Sequence, residues 1–329
     1  MTVQITIVGL GQIGCSVGLA LAEHTDLVRR IGHDKDLTIA KHAEKLGALD
    51  KMIFNLPSAV SQADIVLLSL PMDQIRDTLT MIAPDLKEGA VVMDTGPVKE
   101  VVAGWARECL PEGRYYLGLT PVLNPAYLHE LEYGVVAAHP DLFKGGMLAI
   151  VSPPGTPSEA IKLGADLTRL LGADPFFVDP VEMDGLMAAT HILPQITAAA
   201  LLNATVDQPG WREGRKVAGR AYAEATSPII HPSESESLSA SALLNGENVL
   251  RAIDGVVAAL QAIRSDIAEG RAEELSTRLA RARRGRENWW SQRQSANWEG
   301  EEVQPEELPK VTEWLGRMMG FKRRTEEDE

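Results

Sequence analysis

The stretch ITIVGLGQIGCSVGLAL, residues 5–21, sets a short β-rich run against a helical one, with Gly9, Gly11 and Gly14 at the junction. ITIVGL reads as a strand and Ser16–Glu23 as a helix. In that context the spacing is G-x-G-x-x-G, and each glycine has its own task. Gly9 allows the tight turn, Gly11 lets a pyrophosphate approach the backbone, and Gly14 lets the helix pack closely on the strand. The helix start, Gln12 and Ile13 included, offers amide donors and a favourable dipole to phosphate. Asp34 closes the next strand, VRRIGHD, 20 residues beyond Gly14. A carboxylate there accepts both ribose hydroxyls and repels a 2′-phosphate, which favours NAD over NADP. Lys35, Arg29 and Arg30 nearby leave room for NADP.

The alternation continues through ADIVLLSLP, the amphipathic MDQIRDTLTMIAPDL, AVVMDTG and YYLGLTPV. Apolar strands alternating with helices predict a doubly wound parallel sheet, a Rossmann domain over residues 1–179. Ligands of such sheets lie beyond the carboxyl ends of the strands. Leu70-Pro71 and the turn containing Asp94 and Gly96 are therefore expected beside the cofactor. For Asp94 a plain capping role is an equal alternative.

With 329 residues, 24% charged and 45% hydrophobic, the chain has the composition of a folded two-domain protein. Its formal charge of −14 argues against a nucleic-acid partner, because phosphate backbones require a basic surface. Cys15 and Cys109 are the only cysteines, too few for a disulfide framework or a four-thiolate site, and the N-terminus opens directly as a strand. A cytoplasmic location is expected. No histidine or carboxylate pairs recur at ligand spacing, so no metal is expected. No charged residue occurs between Asp184 and Asp207. Because His191, Pro194, Gln195, Asn203 and three threonines interrupt the span, the reading is a buried helix of a soluble domain, with no membrane.

Residues 180–286 read as a helical domain, with apolar residues at Val249, Ile253, Val256, Val257, Leu260 and Ile263 on one face. Such a stripe suits dimerisation, and a homodimer is expected. Residues 287–329 read as a Trp-rich tail with an acidic linker, an amphipathic docking helix around Val311–Met319 and a disordered end.

The segments GLGQIGCSVGLAL, the Asp of GHDKD, LSLP, DTGPVK, VEMDGLMAATHILPQITAAALL and ENVLRAIDGVVAAL together resemble the prephenate and arogenate dehydrogenase family, from about Val3 to Arg286. The resemblance implies a Rossmann domain and a helical dimerisation domain with the active site between them. It implies NAD-dependent oxidative decarboxylation of a cyclohexadienyl carboxylate in tyrosine biosynthesis. Hydride leaves the ring carbinol for nicotinamide, a base takes the hydroxyl proton, and loss of carbon dioxide aromatises the ring.

The chain departs from the family at its chemical positions. Pro97 stands where the family carries serine, and Thr120 where it carries the histidine of G-H-P. Thr120 can still hydrogen-bond a substrate. In the S-H-L-P-H helix the two histidines fall on Ile192 and Gln195, while His191 comes one residue early. One residue is about 100° of helix, so His191 faces elsewhere unless Pro194 distorts the preceding turn. His191 is the base candidate by its titration range, with a buried histidine bonded to backbone as the alternative. His129, His139 and His231 lie in loop-like or exposed stretches and rank lower.

Arg215 and Arg220, in GWREGRKVAGR, are candidates to clamp substrate carboxylates, against a plain solvated helix face. Gln195 joins them as a substrate contact. Two function classes stay open: a dehydrogenase of this type, acting on prephenate, arogenate or another carboxylated substrate, and a noncatalytic NAD-binding relative.

Overall fold

The computed structural model describes residues 2–229 and 235–296. His231 and the expected tail helix at Val311–Met319 lie outside the described residues. Residues 1–281 form one compact unit, and a second unit begins at Ala282.

The first part of the chain alternates strand and helix: β1 Val3–Val8, α1 Gln12–Ala20, β2 Val28–His33, α2 Leu37–Lys45, β3 Lys51–Met52, α3 Leu56–Val60, β4 Ile65–Leu68, α4 Met72–Ile82, β5 Val91–Asp94, α5 Glu100–Cys109 and β6 Tyr115–Val122. Then come β7 Met147–Val151, α6 Ser158–Leu170 and β8 Asp174–Phe177. The strands form one sheet in the order β3-β2-β1-β4-β5-β6-β7-β8. From β3 to β6 this is the 3-2-1-4-5-6 order of a doubly wound sheet, and all those pairs are parallel. β4 and β5 are buried along their whole length, which is why they read as unbroken apolar runs.

The expected parallel sheet holds for these six strands and not for the last two. β7 runs antiparallel to β6, and β8 follows β7. A parallel connection needs a crossover helix, and residues 123–146 carry only short 3₁₀ turns, so the chain folds back along the same edge. One face of the sheet packs on α1, α2 and α6 through residues such as Ile5, Ile7, Leu117 and Ile150. The other packs on α4 and α5 through Val66, Leu68, Ile75, Leu79 and Val102.

From Pro180 the chain is helical: α7 Pro180–Met187, a π-helical turn Ala188–Ile192, α8 Leu193–Val206, α9 Trp211–Val217, α10 Arg220–Thr226, α11 Ser235–Leu244, α12 Gly246–Ala268 and α13 Ala272–Ser295. The helical run Pro180–Val206 is long and apolar enough by length and composition to cross a membrane. The buried-helix expectation is corrected: only 17% of its most apolar window is buried within one chain, and in α8 only Ala198 is fully enclosed. Leu243, Leu250, Leu260 and Ile267 of α11 and α12 are exposed as well.

Helix α13 also runs past Arg286, where the sequence reading ended it, so Trp289 and Trp290 lie on a helix. The Arg286 guanidinium stands 4.8 Å from the ring centre of each. Those are i,i+3 and i,i+4 neighbours, a spacing that favours continued helix.

Candidate functional site

The glycine turn between β1 and α1 separates residues required by packing from one that packing does not require. Gly9 has φ +90°, and a Cβ there would overlap the Ser69 carbonyl. A Cβ on Gly14 would overlap the carbonyl of Gly9. Gly11 has φ −71°, open to any residue, and a Cβ built on it meets nothing within 4 Å. The space beside Gly11 is a cradle that protein atoms leave open.

Helix termini at this edge of the sheet differ in the same sense. The first amides of any helix lack intrahelical acceptors. At α5, the Lys99 and Glu100 amides donate to the Asp184 carboxylate at 2.5 and 3.1 Å. At α4, the Met72 amide donates to Ser237 Oγ at 2.9 Å. Both caps come from the helical region. Helix α1 has no side-chain cap and no acidic residue in its first turn, so the amides around Gln12 and Ile13 are available to an anion. Asp34 stands beside this turn: one carboxylate oxygen accepts the Leu10 amide and the other the Asp36 amide, each at 2.8 Å.

Asp94 is part of the support beneath the cleft. Its side chain is fully buried, accepting from Lys99 Nζ at 2.9 Å, the Gly96 amide at 2.7 Å and the Tyr116 hydroxyl at 2.5 Å. The sequence placed Asp94 beside the cofactor; the structure instead uses its carboxylate to hold the turn, the capping alternative. Burial pulls the Lys99 pKa down against the opposing charge of Asp94. Burial, reinforced by Asp94, pushes Tyr116 well above its usual value. Asp184 is raised by its burial despite the amides it accepts. The Cys15 thiol, buried in α1, is pushed up to about 11, too high for a nucleophile at neutral pH.

Above this support lies a cleft of about 570 Å³. Its sheet side is formed by Ile13, Ser69, Leu70, Pro71, Met72 and the Thr95-Gly96-Pro97 turn. Its helical side is formed by Thr190, His191, Pro194, Gln195, Ser237 and Ser241, with apolar neighbours. His191 reaches the cleft because the condition posed by Pro194 is met. Proline has no N–H and crowds the carbonyl four residues back, so a continuous α-helix is disfavoured there. The turn widens to a π-helix, in which the Leu193 amide bonds to Ala188 O, five residues back. A π turn takes up one residue more than an α turn, which rotates His191 relative to a continuous α-helix.

His191 is exposed to the cleft, and the protein beside its ring removes enough solvation to lower its pKa from 6.5. Among the described residues its ring nitrogens have no hydrogen-bond partner, so the alternative of a histidine bonded to backbone is not what is seen. Gln195 Nε2 donates to the His191 carbonyl at 3.0 Å and lies on the same wall.

Three other expected site residues lie elsewhere. Thr120 is buried in β6 opposite Ala149, which packs against Met183 of α7, and its hydroxyl has no partner among the described residues. It is not on the cleft wall. Arg215 and Arg220 are exposed on α9 and α10, and Arg220 pairs with Glu224 at 3.2 Å. The expected carboxylate clamp is thus not formed within one chain, because these short helices turn their basic faces to solvent. His139 pairs with Glu130 at 2.9 Å and stacks on Tyr127, also off the cleft.

The sequence reading missed Asp184, Ser237 and the two partners of Asp94, Lys99 and Tyr116. Asp184 entered it only as the boundary of an uncharged run. The one signal for Ser237 is that serine is a favoured capping residue.

A doubly wound sheet with an open glycine turn, a carboxylate at the end of its second strand and a helical region closing the cleft defines a dinucleotide-binding protein of the Rossmann class. Residues 17–175 match the family model described as prephenate dehydrogenase, nucleotide-binding domain. Over 204 residues the chain is 28% identical to prephenate dehydrogenase of Bacillus subtilis, covering 61% of this chain and 53% of that protein. Over 203 residues it is 28% identical to cyclohexadienyl dehydrogenase of Zymomonas mobilis, covering 60% and 66%. The matches thus span about half to two thirds of these relatives. The fold is similar to the crystal structure of A. aeolicus prephenate dehydrogenase in complex with hydroxyphenyl propionate and NAD+, with TM-score 0.76, 22% identity and coverage of 88% and 98%. It is also similar to Synechocystis arogenate dehydrogenase, with TM-score 0.68, 21% identity and coverage of 87% and 99%. Over residues 17–175 the chain is thus similar to the nucleotide-binding part of prephenate dehydrogenases.

Proposed function

We propose that the protein is an NAD-dependent dehydrogenase of the prephenate and arogenate type, oxidising and decarboxylating a cyclohexadienyl carboxylate for tyrosine biosynthesis. The observation that carries this reading is that Ile13, from the uncapped start of α1, and His191 line one cleft. The open space at Gly11 and the free amides of α1 fit a pyrophosphate, and Asp34 fits ribose hydroxyls and disfavours a 2′-phosphate. When bound, NAD accepts the hydride of the carbinol carbon.

The chain's own part is positioning and proton handling. Leu70, Pro71 and Gly96 form the sheet-side wall. His191, largely neutral near pH 7, accepts the substrate hydroxyl proton as hydride departs. It returns that proton to the phenol oxygen when the carboxylate leaves as carbon dioxide and its bonding pair completes the ring. Gln195 holds the His191 turn and supplies an amide to the substrate.

The exposed apolar residues of α8, α11 and α12 are covered in this reading by a second copy, forming a homodimer in the cytoplasm. Arg215 and Arg220 then meet the carboxylates of a substrate bound in the partner. The test is NADH formation, followed by absorbance, with NAD or NADP and with prephenate or arogenate, in wild type and His191→Ala. Turnover that collapses in the variant supports the reading. NAD binding without turnover on either substrate overturns it, in favour of another carboxylated substrate or a noncatalytic relative.

A further inference from the structure

We propose that Ser237 is a positioning residue that links dinucleotide binding to the placement of the substrate-side wall, an inference that rests on the function proposed above. Helix α4 begins at the cleft with Pro71 as its N-cap residue, which has no side chain able to accept a hydrogen bond. Ser237 Oγ of α11 takes that role from 165 residues away, accepting the Met72 amide at 2.9 Å. The capped amide follows directly on Leu70-Pro71, the turn that borders the dinucleotide half of the cleft.

On its other side Ser237 is tied to the substrate wall. Its carbonyl accepts the Ser241 hydroxyl at 2.7 Å, and both Leu238 and Ser241 line the cleft. Leu238 packs with Ile192, next to His191. A displacement of the Leu70–Met72 turn is therefore passed through one hydrogen bond to α11 and on to the wall that carries His191.

The contrast with Asp184 explains why Ser237 is the adjustable link. Asp184 is buried, accepts two amides of α5, and its own carbonyl accepts Asn245 Nδ2 at 2.7 Å. That is a fixed anchor. Ser237 is half-buried and makes one bond to α4.

The experiment is peptide-resolved hydrogen exchange on the full chain, with and without NAD, for wild type, Ser237→Ala and Ser237→Thr. In wild type, NAD is expected to slow exchange in residues 235–244 by about fivefold, the equilibrium equivalent of one helix cap. Ser237→Ala is expected to abolish that response while leaving the NAD Kd within about twofold, and Ser237→Thr to restore it. Under turnover, Ser237→Ala raises KM for the cyclohexadienyl substrate. An NAD response of residues 235–244 that persists in Ser237→Ala overturns the proposal. So does wild type that binds NAD with no response there, which leaves the proposed function intact. Wild type that fails to bind NAD overturns both.

Discussion

The two walls of the cleft obey different rules. The sheet side presents backbone to the cleft: an uncapped helix start, a glycine with open space beside it, and a turn held from below by a buried carboxylate. The helical side presents side chains brought in by distant segments. A π turn over Ala188–Ile192 carries His191 on that wall. Backbone recognition depends on local geometry and tolerates little. Side-chain recognition can be rebuilt by a change of register.

The sharpest way to break this contrast is to remove the support under the backbone wall. Asp94→Ala leaves Lys99 and Tyr116 buried without their partner, and is expected to lower stability by about 3–5 kcal/mol, read by urea denaturation. A loss below about 1 kcal/mol would show that the network is not needed. On the opposite wall, His191→Ala is expected to lower kcat by roughly 10²- to 10⁴-fold with stability nearly unchanged.

The pH profile sharpens the same point. The imidazole is a base only above its pKa, and burial lowers that pKa, so the base form persists as pH falls past 6.5. The acid limb of kcat/KM, which reports the free enzyme, should therefore lie below 6.5, the unshifted value. A limb at or above it would place the proton elsewhere. Gly14→Ala drives a Cβ into the Gly9 carbonyl and is expected to destabilise the fold by about 1–3 kcal/mol, measured as a drop in Tm.

The smallest effect separates the chain from its assembly. Arg215→Ala and Arg220→Ala should change stability by no more than about 0.5 kcal/mol, since both residues are exposed. A rise in substrate KM in either variant places that arginine in the site of a second copy. Unchanged kinetics make it a solvated helix face.

How much of this was legible in the sequence follows the same division. Gly9 and Gly14 could be read because their spacing is local and each answers to one backbone need, and Gly11 and Asp34 could be placed at the same turn by spacing alone. The apolar runs of β4 and β5 announced a sheet covered on both faces. Asp184 and Ser237 could not be read, because their partners lie 85 and 165 residues away and no periodicity connects them. The π turn was legible as a condition attached to Pro194 and not as an outcome. The exposure of α8 was missed because an uncharged run has the same composition whether its own chain or a neighbour covers it.

The measurement that tests the account most directly is NAD titration of Gly11→Ala beside wild type, with urea denaturation of both. The Cβ of the variant meets no protein atom, so the account predicts an unchanged denaturation midpoint. It predicts an NAD Kd raised roughly a hundredfold, equivalent to about 2.7 kcal/mol. A stable Gly11→Ala that binds NAD as tightly as wild type would contradict it, because the space beside Gly11 would then hold no dinucleotide.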